Sequence, residues 1–141
     1  MKLDGKPKQP LCPSASLDAG DVWIIGVVMN GGTAQVQYLE KLVPPSEQVL
    51  SVLNGMRPEA VLRMAAPCAK GECHHFQGGR CSLVDRVVEH LSSNEIPLPK
   101  CPIRKDCVWF AQQGVEACTR CSQIATWNAA PSDTLLTVAK P

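Results

Sequence analysis

The sequence predicts an α+β fold: an N-terminal β-hairpin plus short helices, packed on a small helical, Cys-rich lobe. Three observations predict it. The β-rich apolar run VWIIGVVMN (22–30) leads through Gly31-Gly32 into the alternating run TAQVQYLEKLV (33–43), which is the pattern of a hairpin. Proline and capping signals after it mark short helices. Seven of the eight cysteines then fall between Cys68 and Cys121, where the composition changes.

Taken in order, residues 1–20 are rich in Pro, Lys and Ser without periodicity and read as a flexible arm, carrying Cys12 in the string QPLCPSA. Residues 21–67 hold the hairpin and helices. The first run lacks alternation, so both its faces are expected to be buried. In the second, Val36, Tyr38 and Glu40 share one face, and Gln35, Gln37 and Leu39 share the other. Pro44-Pro45 stops the sheet. Ser46 is placed to cap a helix that turns Val49, Leu50 and Leu53 inward and ends at Asn54-Gly55. Pro58 suits the first position of a second helix carrying Val61, Leu62 and Met64, which Pro67 terminates.

Residues 68–127 form the Cys-rich lobe. Its clearest helix is SLVDRVVEHLSS (82–93), capped by Ser82, with Leu83, Val84, Val87, Val88 and Leu91 as its apolar stripe. NEIPLPK (94–100) reads as an extended linker. KDCVWFAQQG (105–114) and VEACTRCSQIATW (115–127) read as two short helices, and residues 128–141 as a loose tail.

Composition narrows the function classes. The chain has 141 residues, 45% hydrophobic and 19% charged, as in a soluble globular protein. A formal charge of +1 and 4% aromatic residues provide neither the electrostatic footprint nor the stacking platform of a nucleic-acid binder. The longest apolar stretch, Val22 to Met29, is far short of the roughly 20 residues of a membrane-spanning helix. Lys2, Lys6 and Lys8 are followed by no apolar core, so no secretory signal is expected and the protein is placed in the reducing cytoplasm. There, dense cysteines point to metal or redox chemistry rather than to a disulfide scaffold.

The cysteines form two pseudo-repeats, 68–81 and 101–121. Cys68 is followed by Glu72-Cys73, Phe76 and Arg80-Cys81, and Cys101 by Asp106-Cys107, Phe110 and Arg120-Cys121, with Cys118 inserted. The second repeat holds four thiols. The first holds Cys68, Cys73 and Cys81, and Cys12 is the one thiol left to complete it. Eight thiols thus divide into two tetrathiolate sites, and Cys12, Cys68, Cys73, Cys81, Cys101, Cys107, Cys118 and Cys121 are the candidate metal ligands. His74 and His75, directly after Cys73, leave a mixed ligand set open, with a solvated loop pair as the plainer reading. The basic string Lys100, Arg104 and Lys105 is open to three readings: surface, steering of an acidic partner, or N–H donors to a metal centre.

Zinc sites favour two close ligand pairs, and Cys118-Thr119-Arg120-Cys121 has that form. The other intervals, of seven, five and ten residues, are irregular and suit a larger cluster. Pro beside Cys12, Cys68 and Cys101 echoes the Cys-Pro of bacterial ferredoxins, although three Cys at two-residue gaps are absent. The expectation is a small cytosolic iron–sulfur protein with two 4Fe–4S clusters. It would be an electron carrier or redox accessory to a partner enzyme or biosynthetic partner protein, rather than an enzyme itself. A zinc-stabilised interaction module without redox role is the alternative. A third reading is a cluster enzyme or sensor with an open iron, Cys12 being unbound. No nucleic acid and no membrane are expected as partners.

Overall fold

The computed structural model describes residues 10–29, 35–93, 98–128 and 131–140. The Gly31-Gly32 turn and Asn94–Pro97 of the expected linker lie outside the described residues. The chain is α+β. Strands β1 (Leu11–Cys12), β2 (Trp23–Met29), β3 (Gln35–Val43) and β4 (Leu62–Pro67) form one antiparallel sheet in the order β1-β4-β2-β3. Between β3 and β4 lie α1 (Glu47–Ser51) and α2 (Pro58–Val61). A two-residue ladder of β5 (Phe76–Gln77) and β6 (Arg80–Cys81) precedes four helices: α3 (Ser82–His90), α4 (Val108–Gln113), α5 (Val115–Cys121) and α6 (Asp133–Ala139).

The hairpin is β2–β3; Val22, Trp23, Ile24 and Ile25 are buried, but Val27 and Met29 are exposed, so burial on both faces holds only for the first half of the run. One sheet face carries Ile24, Leu62, Met64 and Ala66 and is covered by Val49, Leu50 and Leu53. Ser46 caps α1 through a hydrogen bond from the Val49 N–H at 3.2 Å. The opposite face carries Leu11, Ile25 and Ala65 and merges with Val84, Val87, Ile103, Trp109, Ala117 and Val138 of the helical half.

Three segments differ from the sequence reading. The helix at Pro58 ends at Val61, and Leu62–Pro67 is a strand rather than its continuation. Helix propensity in Leu-Arg-Met-Ala-Ala is overridden because β4 pairs on both edges, with β1 and β2, and buries five consecutive residues. In the segment expected as an arm, Leu11–Cys12 is a strand, with Leu11 opposite Pro67 and Cys12 opposite Ala66, and Leu17–Ala19 is a 3-10 turn. The strand pairing extends through the Cys68 N–H to Pro10 carbonyl bond at 2.9 Å. In the segment expected as a loose tail, Ser132 caps α6, whose Val138 is buried against α3. Arg86 of α3 donates to the Val138 carbonyl at 2.7 Å.

Gly26 sits at a bulge in β2, opposite Tyr38 on β3 and Arg63 on β4. A Cβ there would lie 2.6 Å from Val36 Cγ1 and 3.0 Å from the Gln37 carbonyl oxygen, so only glycine fits. Tyr38 and Arg63 thus flank a residue without a side chain on the sheet face that meets the helices.

Candidate metal centre

All eight cysteines are free thiols, and each falls into one of two groups. Burial pushes the Cys12 thiol up to about 12, and the neighbouring thiols that add to the rise are Cys81, Cys68 and Cys73. Cys81 is raised by burial and by Cys68 and Cys73. Cys101, Cys107 and Cys118 are raised chiefly by burial, and each also feels Cys121. The first group is therefore Cys12, Cys68, Cys73 and Cys81; the second is Cys101, Cys107, Cys118 and Cys121. All four thiols of the second line one cavity, together with Tyr38 and Arg104.

Local folding explains the grouping. The β1–β4 ladder sets Cys12 beside the end of β4, where Cys68 follows. A 3-10 turn, Lys70–Glu72, then delivers Cys73, whose N–H bonds the Lys70 carbonyl at 2.9 Å. The same device recurs as Arg104–Asp106 before Cys107, whose N–H bonds the Arg104 carbonyl at 3.3 Å. Cys81 and Cys107 each stand at the N-cap of a helix, α3 and α4; the expected cap Ser82 is instead the first residue of α3, its hydroxyl donating to the His75 carbonyl at 2.6 Å. Their thiols accept backbone N–H bonds, Cys81 from Val84 and Leu83, Cys107 from Phe110 and Trp109. These donors favour the thiolate, which is the ligating form.

A further parallel links Cys12 to the second repeat. In Cys12-Pro13-Ser14 the Ser14 N–H bonds the Cys12 thiol, and in Cys101-Pro102-Ile103 the Ile103 N–H bonds the Cys101 thiol. Each group thus contains one Cys-Pro-x turn with its own internal N–H donor. The Cys-Pro dipeptide was the sequence signal for that match.

Among the described residues, no three His, Cys, Asp or Glu side chains stand close enough together to hold a single metal ion. His75 takes no place among the thiols: Arg86 Nη2 lies 2.8 Å from its Nδ1. Burial, then His74 and Arg86, lower its pKa to about 4, so the ring is neutral at pH 7 and accepts from the guanidinium.

The second group has polar neighbours: Arg104, from the basic string whose readings included N–H donors to a metal centre, and Arg63 and Tyr38, which the sequence reading did not single out for such a role. Arg63 is fully buried, and its Nη2 donates to Cys121 Sγ at 3.0 Å. Its Nε donates to the Pro13 carbonyl at 2.9 Å, and its Nη1 to the Cys121 and Ile124 carbonyls, both at 2.7 Å. Burial opposes its charge, and Cys121 is the largest influence in the other direction, holding the guanidinium firmly protonated. Burial and then Cys121 push the Tyr38 hydroxyl well above the phenol range, so it stays protonated and hydrogen-bonds Cys121. Arg104 hydrogen-bonds the Cys118 thiol. Its Nε and the Trp109 Nε1 are buried donors without an acceptor among the described residues, and both residues line the thiol cavity. Buried donors without acceptors are rare in folded proteins, so an anionic group in that cavity fits the residues present. The one sequence cue to Arg63 was a lone charge inside the apolar run AVLRMAA.

Comparison with family models, with curated proteins and with solved structures gives no match. No helix among the described residues is long and apolar enough to cross a membrane.

Proposed function

We propose that this chain is a small cytosolic iron–sulfur protein that carries electrons for a partner enzyme or serves it as a redox accessory. In this reading Cys12, Cys68, Cys73 and Cys81 hold one 4Fe–4S cluster, and Cys101, Cys107, Cys118 and Cys121 hold the other. The observation that carries it is the division of eight thiols into four and four, with Cys12 joining the group that lacked a ligand. One further observation supports it. The orphaned Trp109 and Arg104 donors at the second group would find acceptors in an anionic, sulfide-containing cluster.

A 4Fe–4S cluster supplies one-electron chemistry, with the electron taken from a reduced flavin or iron–sulfur donor and passed to an acceptor of the same class. The chain's residues ligate, bury and hydrogen-bond it. Four thiolates at each cluster leave no open iron, which favours electron transfer over Lewis-acid catalysis.

Iron, sulfide and zinc analysis after anaerobic purification, with an absorption spectrum, tests the reading. The expected result is about eight iron and eight sulfide per chain in brown protein. Stoichiometric zinc in colourless protein would overturn it in favour of a zinc-stabilised interaction module.

A further inference from the structure

We propose that Arg63 is a positioning residue that makes the second thiol group the higher-potential of two unequal redox centres, an inference that rests on the cluster reading above. The observations are geometric. Arg63 leaves β4 on the face that meets the helices and spans from β1 to α5, bonding the Pro13 carbonyl at one end and the Cys121 carbonyl and sulfur at the other. All its hydrogen-bond acceptors are carbonyls or sulfur, and no carboxylate pairs with it among the described residues. A buried charge without a counter-ion is costly, on the order of several kcal/mol, and a guanidinium does not escape by losing its proton. The counter-charge must then come from Cys121 and whatever it ligates. Neutral replacement of a residue that serves only to fill space would leave that balance untouched.

The two groups differ in this respect. Burial, backbone N–H groups and the other thiols act on Cys12 and Cys81, and Arg80, which also acts on Cys81, is exposed and already paired with Asp85. The second group has in addition Arg63 and Tyr38 on Cys121 and Arg104 on Cys118. Reduction adds one electron, taken from a reduced donor of flavin or iron–sulfur class, to a centre already anionic through its thiolates. A fixed positive charge 3.0 Å from a ligating sulfur stabilises the reduced form more than the oxidised one, and in a dry interior that preference is little screened. Hydrogen bonds to the sulfur act in the same direction. An electron shared between the groups therefore rests on the second.

The test is a dithionite titration of the intact, anaerobically purified chain, with both centres followed by electron paramagnetic resonance. Two midpoint potentials are expected. In Arg63→Gln the more positive one moves to lower potential while the other stays; Arg63→Lys restores most of the shift. Tyr38→Phe moves the same centre in the same direction by less. An Arg63→Gln protein with full iron and both potentials unmoved overturns the proposal, and so does a shift confined to the lower-potential centre. If Arg63→Gln fails to fold, an unmoved potential in Tyr38→Phe overturns it instead. Absence of iron and sulfide from the unmodified protein is a different failure, that of the cluster reading, and it is seen before any potential is measured.

Discussion

Gln112 grips the peptide of Cys81 at both ends: its Oε1 accepts from the Cys81 N–H at 2.9 Å, and its Nε2 donates to the Cys81 carbonyl at 2.7 Å. Gln112 lies on α4, which starts directly after Cys107. A helix anchored in one thiol group therefore positions the backbone of the other. Gln112→Ala removes both bonds and a third, from Nε2 to Asp85 at 2.9 Å. The expected cost is about 1–3 kcal/mol, read by urea unfolding of the protein as purified. A midpoint unchanged from the parent would show that the clamp contributes nothing.

If both groups hold metal, as proposed, replacing Cys107 by Ala should remove that of the second group alone and halve the content. Cys12→Ser should do the same to the first. Metal analysis of the two variants decides it, and loss of all metal from either change would mean one shared site. Full metal content in Cys12→Ser would instead leave the first group with three protein ligands.

Asp85 provides a pH-dependent element. Arg80 donates to it at 2.9 and 2.7 Å and Gln113 at 2.6 Å, and the Arg80 bonds above all hold its carboxyl down at about 2, below the ordinary 3.8. A depressed carboxyl stabilises the fold fully above its unfolded pKa, and that contribution is lost as pH falls through the folded one. The window is thus about pH 4 to 2. Partial exposure keeps the effect near 1 kcal/mol. Asp85→Asn should lose less stability than the parent across that window, and parallel acid-unfolding curves by circular dichroism would contradict the assignment.

Gly26→Ala places a methyl 2.6 Å from Val36 Cγ1 in the tightest part of the hairpin. Overpacking of this kind costs about 1–3 kcal/mol. Because Tyr38 is the cross-strand partner of Gly26, its hydroxyl should also shift relative to Cys121. Thermal unfolding measures the first effect. The tyrosine ultraviolet resonance Raman signal measures the second, since Tyr38 is the one tyrosine of the chain. A variant as stable as the parent would show that β3 yields freely there.

The hairpin, the amphipathic helix over residues 82–93 and the two short helices after Cys107 were legible because their apolar spacing matches one secondary structure. Leu62–Pro67 was not, because Leu, Met and Ala suit a helix and only pairing with β1 and β2 makes the segment a strand. That same pairing is what brings Cys12 to Cys68, so the strand nature of residues 11–12 was hidden too. The eight thiols and the partition that includes Cys12 followed from counting and order along the chain. Arg63, Tyr38 and Trp109 did not, since a buried guanidinium bound to a sulfur 58 positions away leaves no local pattern.

Leu11 forms a parallel bridge with Cys107, and the next residue, Cys12, belongs to the other thiol group. One peptide unit and one bridge contact thus join the two sets of sulfurs through the protein interior. With clusters in both, charge would have a covalent and hydrogen-bonded route between them through the buried Leu11. The chain would then behave as a two-site wire with an inlet and an outlet, and the strand that bears Cys12 would be its insulated middle segment.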